Sequence, residues 1–320
     1  MERRSRITQA GALAGLTLLV VCAQLAAAEQ PKRARPPKWT TADLDAFFPD
    51  ARTKLVGSRP DYGRAAAAAA STTPAHVTDA ANAKPAADGA WSQLIDADTL
   101  EVEIKRLGQQ VGTSATSPAP FKGGGYKDCR RDFSELAALF AVTADYDGDA
   151  RWKDTAAALR DAFARAGHNC KVGTDQSFQE AKQRKQDLAD LVAGSRPNVA
   201  VNTESKVDWP QIADRPPLMQ RLNIAQQDRL AKWLANKQEF TARRDDIKIE
   251  SQLVATVGDI IGRTGYEFWD DETYAKLARE LKQGGVELAA AVDINNFDQA
   301  RQALARTTKA CADCHEGFRQ

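Results

Sequence analysis

This chain is short of several things. Its 44 basic and 43 acidic residues leave a net charge of +1 with both signs interspersed, which implies no nucleic-acid partner and no strongly charged one. Histidines number three. His76, His168 and His315 lie far apart in the sequence, and no distal histidine with a catalytic arginine, the mark of a peroxidase, is apparent. No alternating apolar and polar stretch reads as a strand. Beyond residue 28 no apolar run suggests a membrane span. Aromatic residues make up 7 %, while alanine, leucine, glutamine, lysine and arginine dominate, a composition that suits helical bundles.

What is present begins at the amino terminus. Basic Met1 to Arg6 precede the apolar stretch Ala10 to Ala28, which ends in Leu25-Ala26-Ala27-Ala28-Glu29. This reads as a secretory signal, residues 1–28, cleaved near Ala28. The run is short and ends in small residues, against a membrane anchor. Val21 stands where lipidation of Cys22 would need a small residue. The mature chain is expected in the periplasm.

Near the other end stands Cys311-Ala312-Asp313-Cys314-His315. In this spacing two thiols add across the two vinyl groups of a haem, and the next histidine reaches the iron. A thioredoxin-like pair should open a helix after a strand, and a zinc site needs a second ligand pair. Neither context is visible. One covalent haem c is expected, held by Cys311 and Cys314, with His315 as proximal iron ligand. Phe297, Ala300, Leu304, Thr308, Cys311 and His315 recur at three- and four-residue steps, so the motif continues the seam of one helix. Of five cysteines, Cys22 leaves with the signal and two take haem. Cys129 and Cys170 remain, and in an exported chain they are expected to pair.

Residues 29–90 comprise a short apolar patch around Trp39, Leu44, Phe47 and Phe48, read as a docking segment, and a flexible alanine- and proline-rich linker. Two similar stretches follow, 91–197 and 207–320. Trp91-Ser-Gln-Leu-Ile-Asp96 is echoed by Trp209-Pro-Gln-Ile-Ala-Asp214, and Phe178-Gln-Glu-Ala by Phe297-Asp-Gln-Ala. The offsets, 118 (209 − 91) and 119 (297 − 178), agree closely enough to suggest tandem duplication. Each stretch carries four amphipathic patterns: 98–111, 127–144, 150–166 and 175–193, then 218–235, 241–263, 271–292 and 296–319. Short connections favour an all-α fold of two tandem antiparallel four-helix bundles.

The second stretch resembles a class II c-type cytochrome, the cytochrome c prime family. The likeness rests on the terminal Lys309-Ala-Cys-Ala-Asp-Cys-His-Glu-Gly-Phe-Arg319 and on the helix lengths before it, over Val207 to Gln320. It implies a four-helix bundle with haem at the end of the last helix. The first stretch shares the layout without the motif and reads as a haem-free copy.

In an up-down bundle the end of the fourth helix lies beside the start of the first, so Leu218, Met219 and Leu222 should cover the face opposite His315. Met219 is the only methionine outside the signal and the candidate second iron ligand. The expected function is electron transfer with redox partner proteins, without enzymatic activity. Two alternatives stand beside it: a five-coordinate NO- or CO-binding protein with Leu218 and Leu222 walling an apolar pocket, and a haem-bearing interaction subunit of a larger redox complex.

Overall fold

Our computed structural model describes residues 90–197, 199 and 207–319. The signal, the docking segment, most of the alanine-rich linker and most of the 194–207 connection therefore lie outside the described residues. Among those described, every regular element is a helix. The first set is α1 (Ala97–Ser114), α2 (Tyr126–Ala144), α3 (Lys153–Asn169) and α4 (Asp175–Val192). In α1 the buried residues Leu100, Glu103, Ile104, Leu107 and Val111 follow the helical period, so one stripe faces inward. Helix α2 is buried continuously from Asp132 to Thr143 because helices cover it on several sides. Phe140 stacks on Phe163 of α3 at 5.5 Å, and Phe133 packs on the same ring at 5.8 Å. Thr174 and Ser177 cap α4 reciprocally.

The second set opens with α5 (Arg215–Asn223), which runs on through a π-helical segment, Ile224–Leu230, into the turn Ala231–Trp233. Then come α6 (Lys237–Ala242), α7 (Arg244–Ile261), α8 (Glu272–Asp293) and α9 (Phe297–Phe318). The starts of α6, α8 and α9 are fixed by side chains accepting backbone N–H bonds: Asn236 from Glu239, Asp271 from Tyr274, and Asn296 from Gln299. Helices α5 with its continuation, α7, α8 and α9 begin and end within a few residues of the four amphipathic patterns, whereas α6, the π segment and the break at Arg243 have no counterpart among them.

Glycines set the spacing of the second set. A Cβ on Gly285 of α8 would fall 2.6 Å from the Ala255 nitrogen and 2.7 Å from the Ser251 carbonyl oxygen of α7. A Cβ on Gly258 would meet the Lys282 backbone nitrogen at 2.7 Å, so α7 and α8 cross backbone to backbone.

The same tether recurs in each half. Tyr146 donates its hydroxyl to the Ile95 carbonyl at 2.9 Å, and Tyr266 donates to the Ala213 carbonyl at 2.8 Å. All the described residues fall in one compact unit. Trp91 and Trp209 pack at 5.8 Å with the Arg263 guanidinium over both rings. Helix α5 packs on α2 of the other half. Gln252 of α7 accepts from the Thr99 hydroxyl of α1 at 2.5 Å, and Asp214 pairs with Arg130 at 2.9 Å and Lys171 at 3.0 Å.

Candidate functional site

The Cys-x-x-Cys-His motif occupies the last two turns of α9. Ala300, Ala303, Thr307 and Ala310 form the buried stripe of that helix, and Cys311 stands at its edge, partly buried. Gly284 of α8 admits α9 at Thr307; a Cβ there would fall 2.4 Å from the Thr307 methyl. Beyond this contact opens a recess lined by Leu222, Gln226, Leu230, Val254, Leu281, Thr307 and Cys311. Its walls are mostly aliphatic and no aromatic ring lines it. The interior of α1 to α4 is filled instead by Phe133, Phe140 and Phe163, with Phe121 against Phe178 at 5.4 Å.

The thiols are those of neutral cysteines. Burial pushes Cys311 up to about 11, with Cys314 adding to the rise and a hydrogen bond from Gln226 opposing it. Burial also raises Cys314, against the nearby Arg215 charge. Their place at the carboxyl end of a helix works in the same direction, since the macrodipole there disfavours an anion. A redox-active pair needs the reverse: a helix amino terminus and a depressed thiol pKa. Among the described residues no three His, Cys, Asp or Glu side chains converge as a metal site, so a zinc reading lacks its second ligand pair. Cys311 stands at the edge of the apolar recess, Cys314 is partly buried one turn further on, and His315 is exposed.

Helix α5 runs alongside this end of α9. Arg215 bonds the Glu267 carboxylate at 2.7 Å and lies 5.5 Å from the Phe268 ring and 5.9 Å from that of Tyr274. Phe318 closes on the same two rings, at 5.2 and 5.5 Å. Gln226 donates to the Thr308 hydroxyl at 2.9 Å. Thus Arg215 reaches the neighbourhood of Cys314 and Gln226 that of Cys311. Met219, four residues after Arg215, is half-buried against the core. Of the three residues expected to cover the far face, Leu222 lines the recess with Cys311. Leu218 is wholly buried, and neither it nor Met219 lines that recess.

The sequence reading did not find the charged cluster behind α5. Arg221, 3 % exposed, donates from Nε to Glu135 at 2.6 Å, from Nη1 to Glu250 at 2.8 Å and from Nη2 to Glu103 at 3.3 Å. Arg106 pairs with Glu103 and Glu250, and Arg229 with Glu250. Glu103 and Glu135 each leave Oε2 buried without a hydrogen-bond partner. A proton shared between the two carboxyls would satisfy both. Burial drives Glu135 up to about 8; Arg221 opposes this and the Glu103 charge reinforces it. Burial acts upward on Glu103 too, but Arg221 and Arg106 outweigh it and hold the group at about 2.

One signal for this cluster did exist. The repeat frame carried by Trp91 and Trp209 sets Glu103 opposite Arg221, opposite charges at equivalent places in the two halves. Cys129 in the first turn of α2 and Cys170 at the end of α3 are both buried and stand as free thiols. They are near enough that Cys170 adds to the rise that burial imposes on Cys129. No family model, curated protein or solved structure matches this chain.

Proposed function

We propose that this chain is an exported mono-haem c-type cytochrome that carries electrons in the periplasm, built as two tandem antiparallel four-helix bundles. Haem attaches to Cys311 and Cys314 of the second bundle. The observation that carries the reading is the Cys-x-x-Cys-His motif at the end of α9, with Cys311 on the edge of an aliphatic recess roofed by α5. The bound haem supplies one-electron exchange between ferric and ferrous iron. The chain supplies everything else. Cys311 and Cys314 would hold the group covalently, His315 would supply an imidazole nitrogen to the iron, and Met219 would be the candidate for a thioether ligand. Leu222, Leu230, Val254 and Leu281 exclude water. Among the described residues no helix is long and apolar enough to cross a membrane. The signal and docking segment lie outside the described residues, so export and partner docking rest on sequence.

Pyridine haemochrome quantification of the purified protein should give one haem per chain, and Cys311→Ala or Cys314→Ala should lose a thioether bond. A ratio of zero or two refutes the assignment. A reduced spectrum unaltered by carbon monoxide supports Met219 ligation, and Met219→Ala should then open the iron to carbon monoxide and lower the potential. The absence of Met219 from the recess lining favours the second reading, a five-coordinate protein binding nitric oxide or carbon monoxide behind Leu222. Ready carbon monoxide binding by the unmutated protein would select it.

A further inference from the structure

We propose that Arg221 is a positioning residue through which the haem-free half holds α5, and with it Met219 and Leu222, against the haem half. This rests on the cytochrome reading for its consequence at iron, though not for the clamp itself. The guanidinium spends its three donor positions on three helices: Glu103 of α1, Glu135 of α2 and Glu250 of α7. The first two belong to one half and the third to the other. Met219 lies two residues before Arg221 and Leu222 one after it. Within the π segment that continues α5, Arg229 binds Glu250 again, so the helix is pinned on both sides of Gln226, which reaches Thr308.

The choice of chemistry matters. Replacing such a buried network by apolar side chains of similar volume is often neutral or favourable for stability. Apolar contact is non-directional, however, and permits a helix to roll or slide. Three hydrogen bonds from one planar fork do not, because a one-residue slip of α5 breaks all three together. Groups that bind a cofactor require a supporting shell of this kind. The haem-free half provides two of the three acceptors, which gives the second copy a task beside the iron.

The test uses the full-length protein with Arg221→Met, Arg221→Lys and Glu103→Gln. Met keeps volume without charge; Lys keeps charge without the fork. Glu103→Gln removes one acceptor charge at constant shape, so it decides the matter where Arg221→Met does not fold. Haem per chain, amide hydrogen exchange across Arg215 to Leu230, spin state and the rate of carbon monoxide binding are measured together. The expected result is an unchanged haem content, with exchange in α5 at least about tenfold faster than in the unmutated chain while α8 keeps its protection. Carbon monoxide binding should quicken by a similar factor, and Arg221→Lys should restore only part of the loss.

Exchange in α5 that stays as slow as in the unmutated chain, or that accelerates equally in every helix, overturns the clamp. Exchange that rises with no change in spin state or carbon monoxide rate overturns its role at the iron. A protein without haem refutes the cytochrome reading, and the exchange pattern still decides the clamp. An iron already five-coordinate removes Met219 as ligand and leaves the carbon monoxide rate to report on the Leu222 wall.

Discussion

Replacing Gly285 by alanine tests how closely α7 and α8 must approach. The added Cβ would lie 2.6 Å from the Ala255 nitrogen, 2.7 Å from the Ser251 oxygen and 2.9 Å from the Ala255 Cα. All three are backbone atoms, and a Cβ has no torsion by which to turn away. Relief requires the two helices to separate by roughly half an ångström or more, which overpacking series put at about 1–3 kcal/mol. Alanine regains about 1 kcal/mol through its helix propensity, so the net is a loss of about 0–2 kcal/mol with strain the larger effect. Gly112→Ala in α1 is the control. Its Cβ would meet only the flexible Lys185 side chain, at 4.0 Å, so the propensity gain stands alone. Urea unfolding followed by circular dichroism should therefore separate the two variants by about 1–3 kcal/mol, with Gly112→Ala the more stable. Equal stabilities, or Gly285→Ala the more stable of the two, would refute the claim that contact distance at this crossing is fixed by backbone.

Two further outcomes follow from buried groups. Glu135 is raised from 4.5 to about 8 in the fold, so its contribution is complete below about pH 4.5 and is lost as the pH climbs through 8. Glu103 is lowered, so its contribution is complete above 4.5 and is lost as the pH falls toward 2. With Arg106, Arg221, Arg229 and Glu250 charged around them, the contribution of this pair should be greatest near pH 4.5 to 5, and Glu135→Gln should lessen the fall in stability between pH 5 and 8 relative to the unmutated chain; an undiminished fall in that variant refutes the assignment. Cys129 and Cys170, at adjoining helix ends, should pair in periplasmic material and close a loop stabilised by on the order of 4 kcal/mol. Linked peptides in an unreduced digest would show it, and alkylatable thiols at both positions would exclude it.

Much of the fold was legible along the chain because it is local. The step of three and four residues in α8, from Tyr274 through Leu277, Leu281 and Leu288, is a property of one segment, and so are the Asn296 and Asp271 caps. The Cys311 motif is likewise linear. Which helix faces which is not. Glu103, Glu135, Arg221 and Glu250 are charged residues, and a sequence assigns such residues to water. They are buried because each half brings an opposite charge to the other, an arrangement that exists only once α5 has packed on α2. Likewise the π segment of α5 shifts the helical phase after Asn223, so counting in steps of three and four from Met219 could not say that Gln226 reaches Thr308. The sequence by itself determined where helices form and where two thiols and a histidine stand on the last of them. The tertiary structure decided what lies over that motif, because the relative placement of two helices depends on contacts between residues more than 80 apart in the chain, as for Gln226 and Thr308 (82).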